Sequence, residues 1–242
     1  MGGSRRINFG PFEYPAGADI IFDFGNPNCT VGWGSHKVYN VGSQNITGSL
    51  VAFNNPSPVY PVLNSGAGSS GGSMAVQYIT GINQGSYLTW DYISTANQTS
   101  VVIYAPNGSQ VSGEQDYSPL AGTGTSYIEM KTTRSNYAIS IGGNGIQSNF
   151  TNVIDTSAGN GRNTWNMIGA TANSTNQQYA YINDANPSGA NVSLNRTNDS
   201  TQTYTFGSRS NLRYMAYLQY PKVLTKNQMY QIYKVFSQRF FT

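Results

Sequence analysis

The hydrophobic pattern of this chain is organised around one stretch, Asn211 to Phe240. Tyr214, Met215, Ala216, Tyr217, Leu218 and Tyr220 make a nearly unbroken apolar and aromatic run, the pattern of a strand covered on both faces. Pro221 cannot donate to a ladder, so the strand is predicted to end there. Thr225 then stands three residues before Gln228, the spacing of a capping box. Met229, Ile232, Tyr233 and Phe236 follow at i, i+3, i+4 and i+7, one apolar stripe on an amphipathic helix. Lys226, Gln231, Lys234 and Gln238 fall off that stripe.

Upstream, short apolar or alternating runs recur with turn signals between them. Asp19–Phe24 (DIIFDF) is a strand closed by the turn cluster Gly25-Asn26-Pro27-Asn28. GSYLTWDYIS alternates loosely from Ser86, and Val101–Ala105 is apolar throughout, as in a sandwich core. Tyr127–Lys131 and Tyr137–Ile141 alternate around Arg134-Ser135-Asn136 and read as a hairpin-like pair. Asn163–Ala172, Gln178–Asn183 and Tyr204–Gly207 supply further strands. Residues 54–73, rich in Pro, Gly and Ser, read as a loop, and GEQDYSP around Asp116 as another. Strands at this even spacing predict an all-β, two-sheet antiparallel sandwich with a short C-terminal helix and an extended N-terminal arm. The arm is residues 1–18 and the domain residues 19–242. Ile7, Phe9, Phe12 and Tyr14 are its apolar anchors, between Gly10, Pro11 and Pro15. They pack either on their own domain or on a partner. In the second case Arg5 and Arg6 would meet an acidic surface, and Phe9, Phe12 and Tyr14 would fill pockets.

Composition narrows the function more than the fold. Only 10% of the 242 residues are charged, against the usual roughly 25%. The net charge of +3 is too small for a nucleic-acid footprint unless clustered, and the cluster in view is Arg5-Arg6. The single cysteine, Cys29, precludes an intrachain disulfide. No apolar window is long enough for a membrane helix, and the N-terminus lacks the apolar region of a secretory signal.

Two groups of residues resemble a known family. The closing unit YMAYLQYPKVLTKNQMYQIYKVF is similar to the strand, turn and "L-T/S-x-x-Q/E" helix that end laminin G-like domains, members of the concanavalin A-like jelly-roll group. Pro221, Lys222 and Val223 stand where the family often has Asn-Arg-Ala. The opening segments FDFGNPNC, GWGSHKVYNVGS and GSL keep the order found in laminin G-like proteins of tailed phages, and GGSMAVQYITG, with Tyr78 and Gly81, continues it. Trp165 takes the place of the family's strand tryptophan, and Ala185 replaces the usual Gly after Asp184. The resemblance implies a non-enzymatic virion structural protein. It would be a capsid decoration or tail appendage protein, made in the host cytoplasm and docked on other virion proteins or on copies of itself. It also allows a carbohydrate-binding module that recognises host or environmental glycans.

The chemistry-bearing residues were weighed against these readings. Glycosidases of the same group need paired carboxylates, and the three glutamates, Glu13, Glu114 and Glu129, are isolated apart from Glu114 with Asp116. His36 is the only histidine; it and Cys29 lie close in sequence without a nucleophile motif. No catalytic residue or cofactor is expected. A calcium ion at the sandwich rim is what the family allows, through Asp184 or Asp199, though no ligand spacing selects either. For glycans, Trp33, Trp90 and the 18 tyrosines are the candidate stacking residues, whereas Trp165 is expected in the core.

Overall fold

The computed structural model describes residues 14–54, 58–67, 75–80, 86–93, 95–106, 116–123, 129–133, 139–143, 146–150, 165–173, 177–182, 188–191, 201–206 and 212–240. The elements begin with β1 (Ile20–Asp23), a helical turn α1 (Pro27–Thr30), β2 (Lys37–Tyr39), β3 (Thr47–Val51), β4 (Phe53–Asn54) and β5 (Pro58–Val59). There follow β6 (Val62–Ala67), β7 (Ala75–Thr80), β8 (Tyr87–Ile93), β9 (Gln98–Pro106), β10 (Asp116–Thr123), β11 (Glu129–Thr133), β12 (Ile139–Gly143) and β13 (Ile146–Phe150). The chain continues through β14 (Asn166–Ala172), β15 (Gln177–Ile182), β16 (Ser188–Asn191), β17 (Thr201–Phe206), β18 (Leu212–Tyr220) and α2 (Lys226–Phe240).

Two eight-stranded antiparallel sheets face one another. One runs β16-β15-β14-β9-β18-β7-β6, with β1 also pairing β18; the other runs β13-β12-β11-β10-β17-β8-β3-β2. β4 and β5 form a separate small ladder. One flank of β18 is shared: β7 pairs its start, at Arg213↔Thr80, and β1 pairs its end, from Asp23↔Ala216 to Ile20↔Gln219. The two-sheet sandwich expected from the strand spacing is therefore what forms.

The run Tyr214–Tyr220 is buried throughout because β18 has a core on each side. Tyr214 and Tyr217 join the cluster between the sheets, with Phe22, Trp90, Tyr104, Tyr204 and Phe206. Met215, Leu218 and Tyr220 face the other way, onto α2 through Met229, Ile232 and Phe236. Tyr214 and Tyr217 are three apart, which a regular period of two would put on opposite faces. A register shift between Tyr214 and Ala216 against β9 reconciles them, as a bulge adds one residue to a strand. The capping box forms: Gln228 N donates to Thr225 Oγ1 at 3.3 Å and Thr225 N to Gln228 Oε1 at 2.9 Å. Gly169 on β14 leaves room for the helix; a Cβ built there would lie 2.0 Å from Met229 Cε.

Two expected loops contain strands. The segment 54–73 includes β5 and β6, and Asp116 starts β10. Pro119 hid β10, since proline is rare in a ladder; the strand accommodates it through a register shift between Tyr117 and Leu120. β11 and β12 pair as the hairpin reading required, two residues further along than the alternation suggested.

Arg5, Arg6, Phe9 and Phe12 lie outside the described residues. The end of the proposed arm belongs to the domain. The Tyr14 ring packs on Phe236 at 5.6 Å and its hydroxyl donates to Asp23 Oδ2 at 3.1 Å. Lys222 Nζ donates to the Ala16 carbonyl at 2.6 Å, beside Gly17 in a left-handed conformation at φ 87°. Ala18 is buried under α2. Removing residues 1–18 is therefore expected to cost about 2–4 kcal/mol more than removing 1–13, through the burial and hydrogen bonds of residues 14–18 that are lost. Thermal melts of the two truncations check this; equal stability of both would contradict the packing of Tyr14.

Candidate binding site at the edge of the bare sheet

α2 covers the outer face of one sheet. On the other, the described outward positions of β17, β8, β3 and edge strand β2 are exposed or half-buried, and this face, bare among the described residues, is the one offered to ligands. Along β8 burial alternates: Leu88, Trp90 and Tyr92 point inward, while Asp91 and Ile93 are exposed. The outward positions of β2, β3, β8 and β17 are mainly hydroxyl-bearing, with Lys37 opposite Ser49, Ser49 opposite Thr89, and Thr89 opposite Thr205. Lys37 Nζ donates to Ser49 Oγ at 2.8 Å and Thr203 Oγ1 to Asp91 Oδ1 at 2.6 Å.

The edge is built by the turn cluster after β1. Asn26 caps α1, its side-chain oxygen accepting from Asn28 N at 3.0 Å, and Pro27 occupies the first turn, where no amide is needed. Cys29 is drawn into the core. Trp33 opens a 3-10 turn, Trp33–Ser35, and its ring meets Phe24 edge-on at 6.2 Å. His36 closes that turn, its amide donating to the Trp33 carbonyl at 2.9 Å. Its backbone is left-handed, φ 59° and ψ 34°, a conformation uncommon for residues other than glycine. Gly32 lets the chain double back on β2; a Cβ there would lie 2.6 Å from Tyr39 Cε2.

This backbone presents the exposed His36 ring flat against Tyr60, with centroids 3.7 Å apart and planes 5° from parallel. Tyr60 in turn packs against the inter-sheet core. The inner face of the histidine is thus occupied, and among the described residues its outer face is exposed. Lys37 and Ser49 follow immediately on the bare sheet, and Tyr39, 41% exposed, lies two residues on.

Beside this edge lies a second polar constellation. Asn40 uses both ends of its amide: Oδ1 accepts from Ile21 N and Gly42 N, and Nδ2 donates to the carbonyls of Asp19 and Gln44. The Asp19 carboxylate accepts from Ser43 Oγ at 2.8 Å and Tyr92 OH at 2.7 Å. Burial pushes the Tyr92 hydroxyl pKa up, and its hydrogen bond to Asp19 pushes it further. These contacts brace the β1–β2 connection and use the donors and acceptors among themselves.

The candidates from sequence divide cleanly. Trp90 is no ligand platform: it is 3% exposed, stacked on Tyr204 at 5.6 Å and tilted on Tyr217 at 4.8 Å. Trp165 is buried as expected. Trp33 is half-buried and supports the edge. Burial, and then the charge of Asp23, push the Cys29 thiol up, the reverse of what a nucleophile requires. Glu13, Glu114, Asp184 and Asp199 lie outside the described residues. Among the described residues no three His, Cys, Asp or Glu gather to hold a metal, and no helix is long and apolar enough to cross a membrane. The stack itself was not legible in sequence, since His36 and Tyr60 come from different loops.

No family model matches the chain, and no curated protein matches it by sequence. Among solved structures it is similar to the binding domain of botulinum neurotoxin serotype D, with a TM-score of 0.63 and 12% identity, covering 90% of this chain and 51% of that one. The binding domain of botulinum neurotoxin DC in complex with rat synaptotagmin II gives 0.60 and 13% over 93% of this chain and 52% of that one. The serotype D ligand-binding domain in complex with N-acetylneuraminic acid gives 0.54 and 11% over 76% of this chain and 50% of that one. This chain spans about half the length of these domains, and at such identity the likeness is one of fold. It agrees with the two-sheet β-sandwich fold. None of these relationships supports a laminin G-like assignment or a virion origin.

Proposed function

We propose that this chain is a non-catalytic binding module that recognises carbohydrate at the β2 edge of its bare sheet. The observation that carries the reading is the His36–Tyr60 stack. An exposed ring is held flat by an uncommon backbone conformation, beside a lysine and a serine. The electron-rich face of an aromatic ring attracts the polarised C–H bonds on one face of a sugar. Lys37 and Ser49 offer donors and acceptors to its hydroxyls, the combination of apolar platform and few polar groups typical of small-ligand sites. The solved complexes of fold neighbours with a sialic acid and with a protein receptor support a binding role for this sandwich. The alternative, a virion structural protein attached through its arm, rests on the sequence resemblance alone.

The test is a glycan array followed by calorimetric titration of the hits. His36→Gly is the informative variant, because glycine adopts a left-handed backbone without penalty. It removes the ring and keeps the turn. Expected is at least about tenfold weaker binding, or about 1.4 kcal/mol, with stability unchanged or slightly raised; Tyr60→Ala has a similar effect on binding. No saccharide bound at millimolar concentration, or unaltered affinity in His36→Gly, overturns the assignment.

A further inference from the structure

The net charge of +3 conceals a strong asymmetry. Residues 200–242 carry Arg209, Arg213, Lys222, Lys226, Lys234 and Arg239 and neither Asp nor Glu. The other residues hold seven Lys and Arg against ten Asp and Glu. The basic segment includes α2, whose described cations, Lys226 and Lys234, lie on the side of the covered sheet away from the β2 edge. Along α2 the residues Lys226, Tyr230, Lys234 and Gln238 recur every fourth position and form one stripe. Met229, Ile232, Val235 and Phe236 are buried. On the stripe Tyr230 is 41% exposed, with Lys234 Nζ 4.9 Å from its ring centre and Tyr233 at 6.1 Å. Val223, just before the helix, is 38% exposed.

We infer that the outer face of α2 is a docking surface for an acidic patch on a partner protein. Tyrosine flanked by lysines is the composition of an interface anchor with a charged rim. The two lysines stand about 12 Å apart along the axis, a span that a local acidic patch matches. An extended polyanion fits less well. A nucleic acid or anionic bilayer would also face the remainder of the chain, where acids outnumber bases. The apolar face of α2 is already used against the sheet, leaving nothing to insert among lipids. This surface is independent of the carbohydrate reading.

A short fluorescent peptide carrying one cluster of glutamates is the probe, read by anisotropy at low salt. Oligo-thymidylate of matched charge and phosphatidylserine vesicles run in parallel. Expected is peptide binding that weakens with salt, falls at least about tenfold in Lys226→Gln/Lys234→Gln, falls several-fold in Tyr230→Ala, and persists in His36→Gly. Lys226 and Tyr230 are exposed and Lys234 is half-buried, and circular dichroism verifies that the variants fold. No peptide binding, unchanged binding in the double lysine variant, or tighter binding of oligo-thymidylate or vesicles overturns the proposal.

Discussion

Raising the pH above about 10 is expected to unfold this domain within one to two pH units, with the buried tyrosines ionising as it opens. Tyr92, Tyr104, Tyr217 and Tyr220 all have hydroxyls pushed up, chiefly by burial. The sign follows from which state keeps its proton. Below the ordinary tyrosine pKa of about 10 both states are protonated, and the full stability is present. Above it the unfolded chain releases protons that the folded chain retains, so stability falls as pH rises towards the folded values. Each such tyrosine contributes about 1.4 kcal/mol per pH unit, and four together about 5–6 kcal/mol per unit. A domain with the usual roughly 5–15 kcal/mol of stability loses it over that window. Phenolate absorbance and circular dichroism, followed together, should change in one transition. Gradual ionisation of every tyrosine near its ordinary pKa in a chain that stays folded would contradict their burial.

Trp90→Ala carries the second large effect, and it separates core aromatics from ligand platforms. The Trp90 ring touches Phe22 at 5.1 Å, Tyr204 and Tyr217, all between the sheets. Truncating it leaves a cavity that close-packed neighbours fill only in part, for a loss of about 3–5 kcal/mol. Carbohydrate affinity per folded molecule stays the same, because the ring faces inward. The pair Trp90→Ala and His36→Gly thus forms a cross: one variant loses stability and keeps binding, the other loses binding and keeps stability. Denaturant titration and calorimetry below the melting temperature measure both arms. A Trp90→Ala domain as stable as the parent would mean that the two sheets do not pack through that ring.

The legible parts of this fold were those set by local spacing. Thr225 and Gln228 are close in sequence, as are the residues of the Met229–Phe236 stripe, so helix, cap and buried face follow from pattern alone. The continuous apolarity of β18 foretold two cores because no other environment suits such a run. What escaped depends on partners distant in the chain. Gln98, Ser100 and Gln219 are polar, and pattern alone does not bury them, yet they lie in the interior; Gln219 Nε2 donates to Gln98 Oε1 at 3.0 Å, and Tyr217 OH donates to Gln219 Oε1. A polar side chain can enter a core once another satisfies it, and that other is unknown before the fold is. The same holds for His36, whose ring gains a meaning only when Tyr60 arrives beneath it. For Tyr14 the sequence leaves both its own domain and a partner open, because Phe236 and Asp23, which hold it, are far away in sequence or part of their own strand.

The shared flank of β18 has a kinetic consequence. Among the described strands the first, β1, lines up with the last, Ile20 against Gln219. Until β18 is made, the sheet that holds it stays unclosed, because β18 joins β9 on one flank to β7 and β1 on the other. Such remote pairing slows folding and leaves apolar strands open to aggregation in the interval. Cooler, slower expression or a chaperone that shields the waiting strands is the natural remedy for poor yields of this domain.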